Sequence, residues 1–456
     1  MTLFRLPTAL ACLTLLMTGC ASNSVFVPYP AKAAAWQQSL QNGALSPEAQ
    51  QLGKISRGKD ALLARLEQGR WQQLQGRYAD SKSAFDDAIR QFQAIDDRAT
   101  ISLGHTAQQG ESLVTNDNVI AYQGALYERV FLHEFQAMNY LALGDREGAL
   151  VEMRRARELQ DRKTDAPPAP DSGAALSDDA LGEYNKRLAA QDDLANRIAS
   201  STRNAYALWL SGLMFESARQ NDDAFIDYKQ ALAIAPGNPV LQQDVQRLAL
   251  ALGRPDEARA LPLKGKPALL KTNEGTLAVL YEEGFVPARK EIFLPFPWPE
   301  SWYVLAFPYY DSPWVSPPPL RIAGANLKAP VDTALATDVQ ALAARALRDQ
   351  RAAMLIRQTL RAQAKHKMQQ EANDKGGALL SVLVGAYNVL SENADLRSWL
   401  TLPRSAQIAR LTLPEGAQTL TLDGAQSVTV NIQRNRATLL RVVKIDNRYY
   451  TASWPL

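Results

Sequence analysis

The stretch WLSGLMFESARQNDDAFIDYKQALAIAP, residues 209–236, decides the fold. Trp209, Gly212 and Phe215 recur at helical spacing, Arg219 sits in a polar break, and Ala224, Tyr228 and Ala231 form a second helical set before Pro236 stops it. Such spacing puts each set on one face of a helix, and the small residues let two antiparallel helices approach closely. Gly253 follows Arg219 by 34 residues, with Ala258 in the close-approach position. Upstream, Gly144-Asp145-Arg146 is followed by Ala149, Met153 and Ala156. Gly76-Arg77-Tyr78 precedes it by 68 residues, two periods, and is followed by Ser81, Phe85 and Ala88.

A period of 34 with this composition is that of tetratricopeptide repeats, in which helix pairs stack and bury a shared core. Helix formers dominate from about Gln37 to Ala260, so a helical repeat region is expected over residues 36–265. Two irregularities interrupt it. Gly110 is in phase, but residues 91–124 lack the small and aromatic positions and read as a degenerate repeat or long loop. Between the second and third good copies the phase slips by 7 residues. Ala166-Pro167-Pro168-Ala169-Pro170 with Ser172-Gly173 marks a linker near residues 164–178. The region therefore reads as one solenoid or two small stacks, with an ordinary helical bundle as the alternative.

After Leu270 the pattern changes. Thr276 to Tyr281, Lys290 to Pro295 and Trp302 to Tyr309 read as strands. A long helix is expected from about Asp332 to Asn373, followed by an uncharged buried helix over 376–391. The tail alternates at Leu420/Leu422 and Val428/Val430/Ile432, with turns at Pro414-Glu415-Gly416 and Asp423-Gly424. The expected fold is thus multidomain: tetratricopeptide-like α-helical repeats, then an α+β, β-sandwich-like domain over 270–456 carrying a long basic helix.

The amino terminus gives an address. Arg5 starts a short apolar run from Leu6 to Met17 that closes on Thr18-Gly19-Cys20, which is secretory-signal anatomy and too short to span a bilayer. The segment resembles a bacterial lipoprotein signal peptide, with Met17 where such signals usually carry Leu. The resemblance implies cleavage after residue 19 and acylation of Cys20. A plain secretory signal cut near Ala21 is the alternative. Residues 20–35 hold Pro28 and Pro30 and read as a tether. Ala21 stands where inner-membrane lipoproteins of this class carry Asp, so the resemblance implies the outer membrane, and its periplasmic face is the expected side.

Tyr127-Glu128-Arg129-Val130, Asn139-Tyr140-Leu141-Ala142-Leu143-Gly144-Asp145, Ile226-Asp227-Tyr228-Lys229-Gln230-Ala231, and Ala394-Asp395-Leu396-Arg397-Ser398-Trp399 with Leu402-Pro403 resemble a family of bacterial repeat-containing lipoproteins. The likeness covers most of the mature chain. It implies an outer-membrane lipoprotein with tetratricopeptide-like repeats and supplies no enzymatic activity.

Composition narrows the chemistry. Apolar residues make up 46% and charged residues 21%, as in a folded globular protein. The net charge of +3 is too near neutral to argue for nucleic acid. Cys12 lies within the signal, so the mature chain offers no thiol pair for a disulfide. His105, His133 and His366 are far apart, and His133-Glu134 meets Ala137 where a zinc-protease pattern needs a second His. Ser56-Arg57-Gly58-Lys59 has serine-enzyme spacing without its companion motifs. Glu282 and Glu283, adjacent on a strand, point to opposite faces and do not pair for glycoside cleavage. No enzyme, cofactor or metal is expected.

Binding surfaces offer more. By phase, Phe131, Glu134 and Met138 of one repeat, and Tyr206, Trp209 and Glu216 of another, are candidates to line a concave groove for a periplasmic or outer-membrane protein partner. Core packing is an equal alternative for the apolar ones. The stretch 345–367 carries Arg345, Arg348, Arg351, Arg357, Arg361, Lys365 and Lys367 against Asp349 alone. It reads as a solvated or internally neutralised face, or as a site for an anionic ligand. Trp298 and Trp314, in an aromatic and proline-rich segment, are candidates for glycan or interface contact. The leading expectation is a non-enzymatic lipid-anchored scaffold in the cell envelope. The alternative is a peptidoglycan- or polysaccharide-binding or cleaving protein using these aromatics and C-terminal carboxylates.

Overall fold

The computed structural model of the chain describes residues 27–102, 121–162, 178–263, 270–298, 301–355, most of 357–370, and 393–456. Helices α1 (Tyr29–Asn42) and α2 (Pro47–Leu52) lead into two hairpins, α3 (Ala61–Leu74) with α4 (Tyr78–Ser102) and α5 (Leu126–Ala142) with α6 (Arg146–Asp161). A single helix α7 (Asp178–Ala195) follows. Two further hairpins are α8 (Ala205–Ser217) with α9 (Asn221–Ile234) and α10 (Pro239–Ala251) with α11 (Pro255–Arg259). The four turns that the 34-residue period marks share one backbone conformation. Gly76, Gly144, Arg219 and Gly253 all have positive φ, at 73°, 83°, 61° and 70°. That left-handed residue lets a helix end and its partner begin within a few residues. Close approach of the first and third hairpins also requires glycine: a Cβ on Gly69 would lie 2.4 Å from the Phe85 ring, and one on Gly212 would lie 2.6 Å from Tyr228. The helical region is therefore tetratricopeptide-like in both turn and packing.

The phase slip has a structural cause. Helix α7 stands between the second and third hairpins, outside the pairing pattern. Its Leu188 packs instead against Ile292, Leu294, Leu305 and Phe307 of the second half of the chain. The linker near 164–178 lies outside the described residues apart from Asp178, which begins α7. Of the expected degenerate repeat, α4 accounts for the start, and residues 103–120 lie outside the description.

The strands are β1 (Glu274–Glu283), β2 (Lys290–Trp298), β3 (Ser301–Tyr309), β4 (Arg321–Gly324), β5 (Val331–Asp332) and β6 (Ala334–Asp338). Helix α12 (Val339–Asp349) follows, then β7 (Ser405–Pro414), β8 (Gly416–Leu422), β9 (Gln426–Ile432), β10 (Ala437–Ile445) and β11 (Arg448–Pro455). They form a five-stranded sheet in the order β11-β10-β1-β7-β6, a four-stranded sheet β5-β4-β8-β9, and the hairpin β2-β3. The pair β1 and β10 is parallel, and the others are antiparallel. Leu277, Val279 and Tyr281 of β1, with Leu411, Leu413, Leu440 and Val442, pack on Ile322, Leu420, Leu422, Val430 and Ile432 of the four-stranded sheet. Two sheets face each other across this core, as in a sandwich.

Alternate residues of the same central strands, Ala278, Leu280, Ala406, Ile408 and Leu439, join the core of the helical repeats. Strand β1 is accordingly buried without interruption from Gly275 to Glu282, the pattern of a strand covered on both faces. Helices, central sheet and outer sheet make three layers. The two sequence regions, 36–265 and 270–456, share one hydrophobic core.

Two expected elements change. The tether over 20–35 ends early, because α1 begins at Tyr29, with Pro28 in extended conformation before it and Ala33 and Trp36 buried. Proline at a helix start leaves no amide unsatisfied, so Pro30 initiates the helix instead of preventing it. The helix expected from Asp332 begins instead at Val339. Residues Ala334–Asp338 pair with β7 as an edge strand, and the Asp338 carboxylate caps the helix by accepting from the Ala341 amide. A turn at Gln350 precedes renewed helix at Arg351. The uncharged stretch 376–391 lies outside the described residues, as does Cys20.

Candidate functional site

The candidate groove residues do converge on the inner side of the repeats, but the chain itself covers them. Phe131, Glu134, Met138, Tyr206 and Trp209 are all buried, none more than 1% exposed. They are therefore not an open lining for a partner, and the reason is the central sheet lying across the inner face. Arg70 on α3 forms an ion pair with Glu282 on β1, both fully buried, and its guanidinium stacks 4.1 Å from the centre of the Phe135 ring. Arg441 on β10 donates to the Gln73 carbonyl at 3.4 Å and to Met138 Sδ at 3.8 Å. Tyr206 donates to Glu282 Oε1 at 3.5 Å. Both Glu134 oxygens lack a hydrogen-bond partner. Burial and the neighbouring Glu282 push the Glu134 carboxyl well above its ordinary range, against the pull of Arg70 and Arg441. Neutral Glu134 is the state that this surrounding favours.

Glu216, at the edge of the same face, is partly open. Burial alone raises its pKa, but Arg410 and Arg247 dominate and hold it down at about 2. Arg247 donates to both of its oxygens, at 2.6 and 2.8 Å, and Tyr228 donates at 2.9 Å. Trp209 donates its indole N–H to Asp244 at 2.7 Å, and Asp244 also pairs with Arg410 of β7. The third and fourth hairpins are thus fastened to the sheet by a closed ionic network.

A second occupant of the inner face is the extended segment 394–402. Its backbone amides point at two buried carboxylates on first helices of successive hairpins. Trp399 N–H donates to Glu128 Oε1 at 2.9 Å, Leu400 N–H to Glu67 Oε1 at 2.9 Å, and Thr401 N–H to Glu67 Oε2 at 3.2 Å. The Thr401 hydroxyl and Tyr29 also donate to Glu67, and Tyr122 and the Ala125 amide donate to Glu128. The Trp399 ring, fully buried, meets Phe85 and Phe135 edge-on at 5.9 and 5.7 Å. Arg397 forks onto Asp395 and reaches the Lys59 carbonyl at 3.3 Å. Burial raises the Glu67 carboxyl to about 7 despite the donors from Thr401, Leu400 and Tyr29. The geometry is that of a repeat groove holding an extended peptide, with the peptide supplied in cis.

Sequence reading missed Glu67, Glu128 and Arg70 as site residues. Their signal was available: each interrupts an otherwise apolar helical face, Leu62, Leu63, Leu66 on α3 and Val130, Phe131 on α5. Charged residues at such positions are paired when buried.

The remaining candidates take structural places. Trp314 donates its indole N–H to Asp338 at 2.7 Å and lies under the Arg197 guanidinium at 3.5 Å, so its ring face is covered and does not serve as an open glycan platform. The Trp298 side chain lies outside the described residues. Glu283, on the opposite face from Glu282, pairs with Arg404 at 2.8 Å. His133 bonds to Glu152 at 2.6 Å. In the basic stretch, Arg345 pairs with Asp349 and Arg351 with Asp192 of α7, while Arg348 donates to Asn196. Arg361 and Lys365 are buried. The stretch is therefore engaged within the fold over much of its length. Among the described residues there is no group of three or more His, Cys, Asp or Glu able to hold a metal, and no helix long and apolar enough to cross a membrane.

No protein-family model matches the chain, and no curated protein matches it. Two solved structures of MamA align with it at 12% and 11% identity, with TM-scores of 0.27 and 0.28. They cover 49% and 50% of this chain and 88% and 85% of theirs. At those scores the likeness carries no argument.

Proposed function

We propose that this protein is a non-enzymatic, lipid-anchored scaffold that holds or assembles a protein partner at the periplasmic face of the outer membrane. The observation that carries the reading is the use of the repeats. Their inner face binds the chain's own sheet and the segment 394–402, so that face is filled from within, and the second helices of the hairpins are left facing outward. Val151 on α6 and Ile226 on α9 are exposed apolar side chains on that outer side, 41% and 46% accessible. The lipoprotein-like signal ending at Cys20 supports an anchor, and with α1 beginning at Tyr29 the intervening chain spans at most roughly 30 Å. A partner would then lie close to the membrane.

The test is photo-crosslinking in intact cells from positions 151 and 226, compared with positions 131 and 209. One stoichiometric protein captured from the outer positions alone, and lost in a Cys20→Ala variant, supports the scaffold. Capture from 131 or 209, or no capture at native expression, counts against it.

A further inference from the structure

From Trp314 to Arg321 the chain reads Trp-Val-Ser-Pro-Pro-Pro-Leu-Arg and, as far as Leu320, belongs to no helix or strand. Its backbone is nevertheless closely restricted. Each proline fixes φ near about −65°, and Ser316, Pro317 and Pro318, each followed by a proline, are kept extended and out of the helical region. Together these favour polyproline II, a helix of about three residues per turn without internal hydrogen bonds. Burial along the segment has that period. Leu320 is fully buried, Pro317 and Trp314 are half-buried, and Val315, Ser316, Pro318, Pro319 and Arg321 are exposed. A strand would instead alternate at every second residue.

One edge of this ridge is tied down along its length. Trp314 donates to Asp338 at 2.7 Å beneath the Arg197 guanidinium, Gln407 donates to the Pro318 carbonyl at 2.9 Å, and the Leu320 amide donates to the Thr333 hydroxyl at 2.9 Å. The other two edges face solvent, with Val315 57% exposed. A ridge held in this way has little conformational freedom left to lose when it binds. Its exposed prolines present flat apolar rings and carbonyls without competing N–H groups, the pattern that aromatic-lined grooves recognise. At its end, Arg321 meets Asp332 at 3.8 Å, with side chains 62% and 48% exposed. Such a surface pair contributes little and yields readily to another carboxylate.

We propose that residues 314–321 form a polyproline II ridge that docks into an aromatic-lined groove of a partner protein, with Arg321 facing a carboxylate at the end of that groove. The ridge belongs to the second half of the chain and needs neither the lipid anchor nor Val151 and Ile226. It and the scaffold reading therefore stand or fall separately.

The experiment is photo-crosslinking from position 316 of the full-length protein in its own cell envelopes, with the synthetic peptides WVSPPPLR and WVSAAALR as competitors. One protein is expected to be captured, and an excess of WVSPPPLR should lower its capture by at least about tenfold while WVSAAALR leaves it unchanged. Pro318→Ala combined with Pro319→Ala should lower capture by a similar factor. Val315→Asp, which leaves the three prolines in place, should do the same. All three positions are exposed, so an unchanged urea midpoint certifies the fold, and Val315→Asp decides the matter if the proline variant is destabilised. Capture that both peptides reduce equally, or that survives Val315→Asp, would overturn the proposal. So would the absence of any captured protein, or crosslinks to glycan or lipid in its place.

Discussion

Replacing Glu67 by Gln tests the cis-bound segment through its electrostatics. Burial lifts the Glu67 carboxyl from an ordinary 4.5 to about 7 in the folded protein. The folded state therefore holds this proton more tightly than the unfolded chain does. The resulting stabilisation is complete below about pH 4.5 and is lost as pH rises through about 7. A difference of about 2.5 pH units corresponds to about 3 kcal/mol. Glutamine carries no titrating proton, so it removes this slope, whatever constant offset arises from its altered hydrogen bonds to Leu400 and Thr401. Urea denaturation of both proteins at several pH values between about 4.5 and 8 gives the difference in unfolding free energy. Subtraction cancels the parallel contribution of Glu134, whose carboxyl is raised in the same sense. The variant should gain on the wild type by about 3 kcal/mol across that range. A difference that stays flat with pH would refute the claim that Glu67 is buried against the segment.

Three further substitutions probe the repeats and their seam with the sheet. Gly212→Ala drives a methyl group into Tyr228 and should destabilise by about 1–3 kcal/mol in denaturant titration. Arg219→Gly relieves the only non-glycine among the four positive-φ repeat turns and should stabilise by up to about 1 kcal/mol, read as a higher urea midpoint. Arg70→Met strands Glu282 in the core and should cost about 3–5 kcal/mol. The double variant with Glu282→Leu should recover most of that loss in the same measurement.

The helical hairpins were legible in the sequence because their turns need a left-handed residue at a fixed interval. Gly76, Gly144, Arg219 and Gly253 therefore stand out without any knowledge of packing. The strands of the sandwich were legible for the same local reason, since alternation at Leu420/Leu422 and Val428/Val430/Ile432 sorts residues between two faces. What covers the inner face of the repeats was not legible. Phe131, Met138, Tyr206 and Trp209 have the same periodicity whether they meet a foreign peptide or the chain's own β1 and β10. The contacts that decide between these join residues hundreds of positions apart, such as Arg70 with Glu282 and Glu67 with Leu400. The polar residues that seat the segment 394–402 gave only an indirect sign, as charges placed within apolar stripes. The early start of α1 was missed because Pro28 and Pro30 read as breakers, whereas the first turn of a helix tolerates proline.

Hydrogen exchange at the backbone amides of Trp399, Leu400 and Thr401 tests the central claim most directly, since it reports whether the repeat groove is filled from within. The account predicts protection comparable with the amides of β1, because all three donate to buried carboxylates beneath the helices. It also predicts faster exchange at Leu400 and Thr401 in Glu67→Gln. Exchange of all three amides at the rate of an open loop would contradict it and would return the groove to an outside partner.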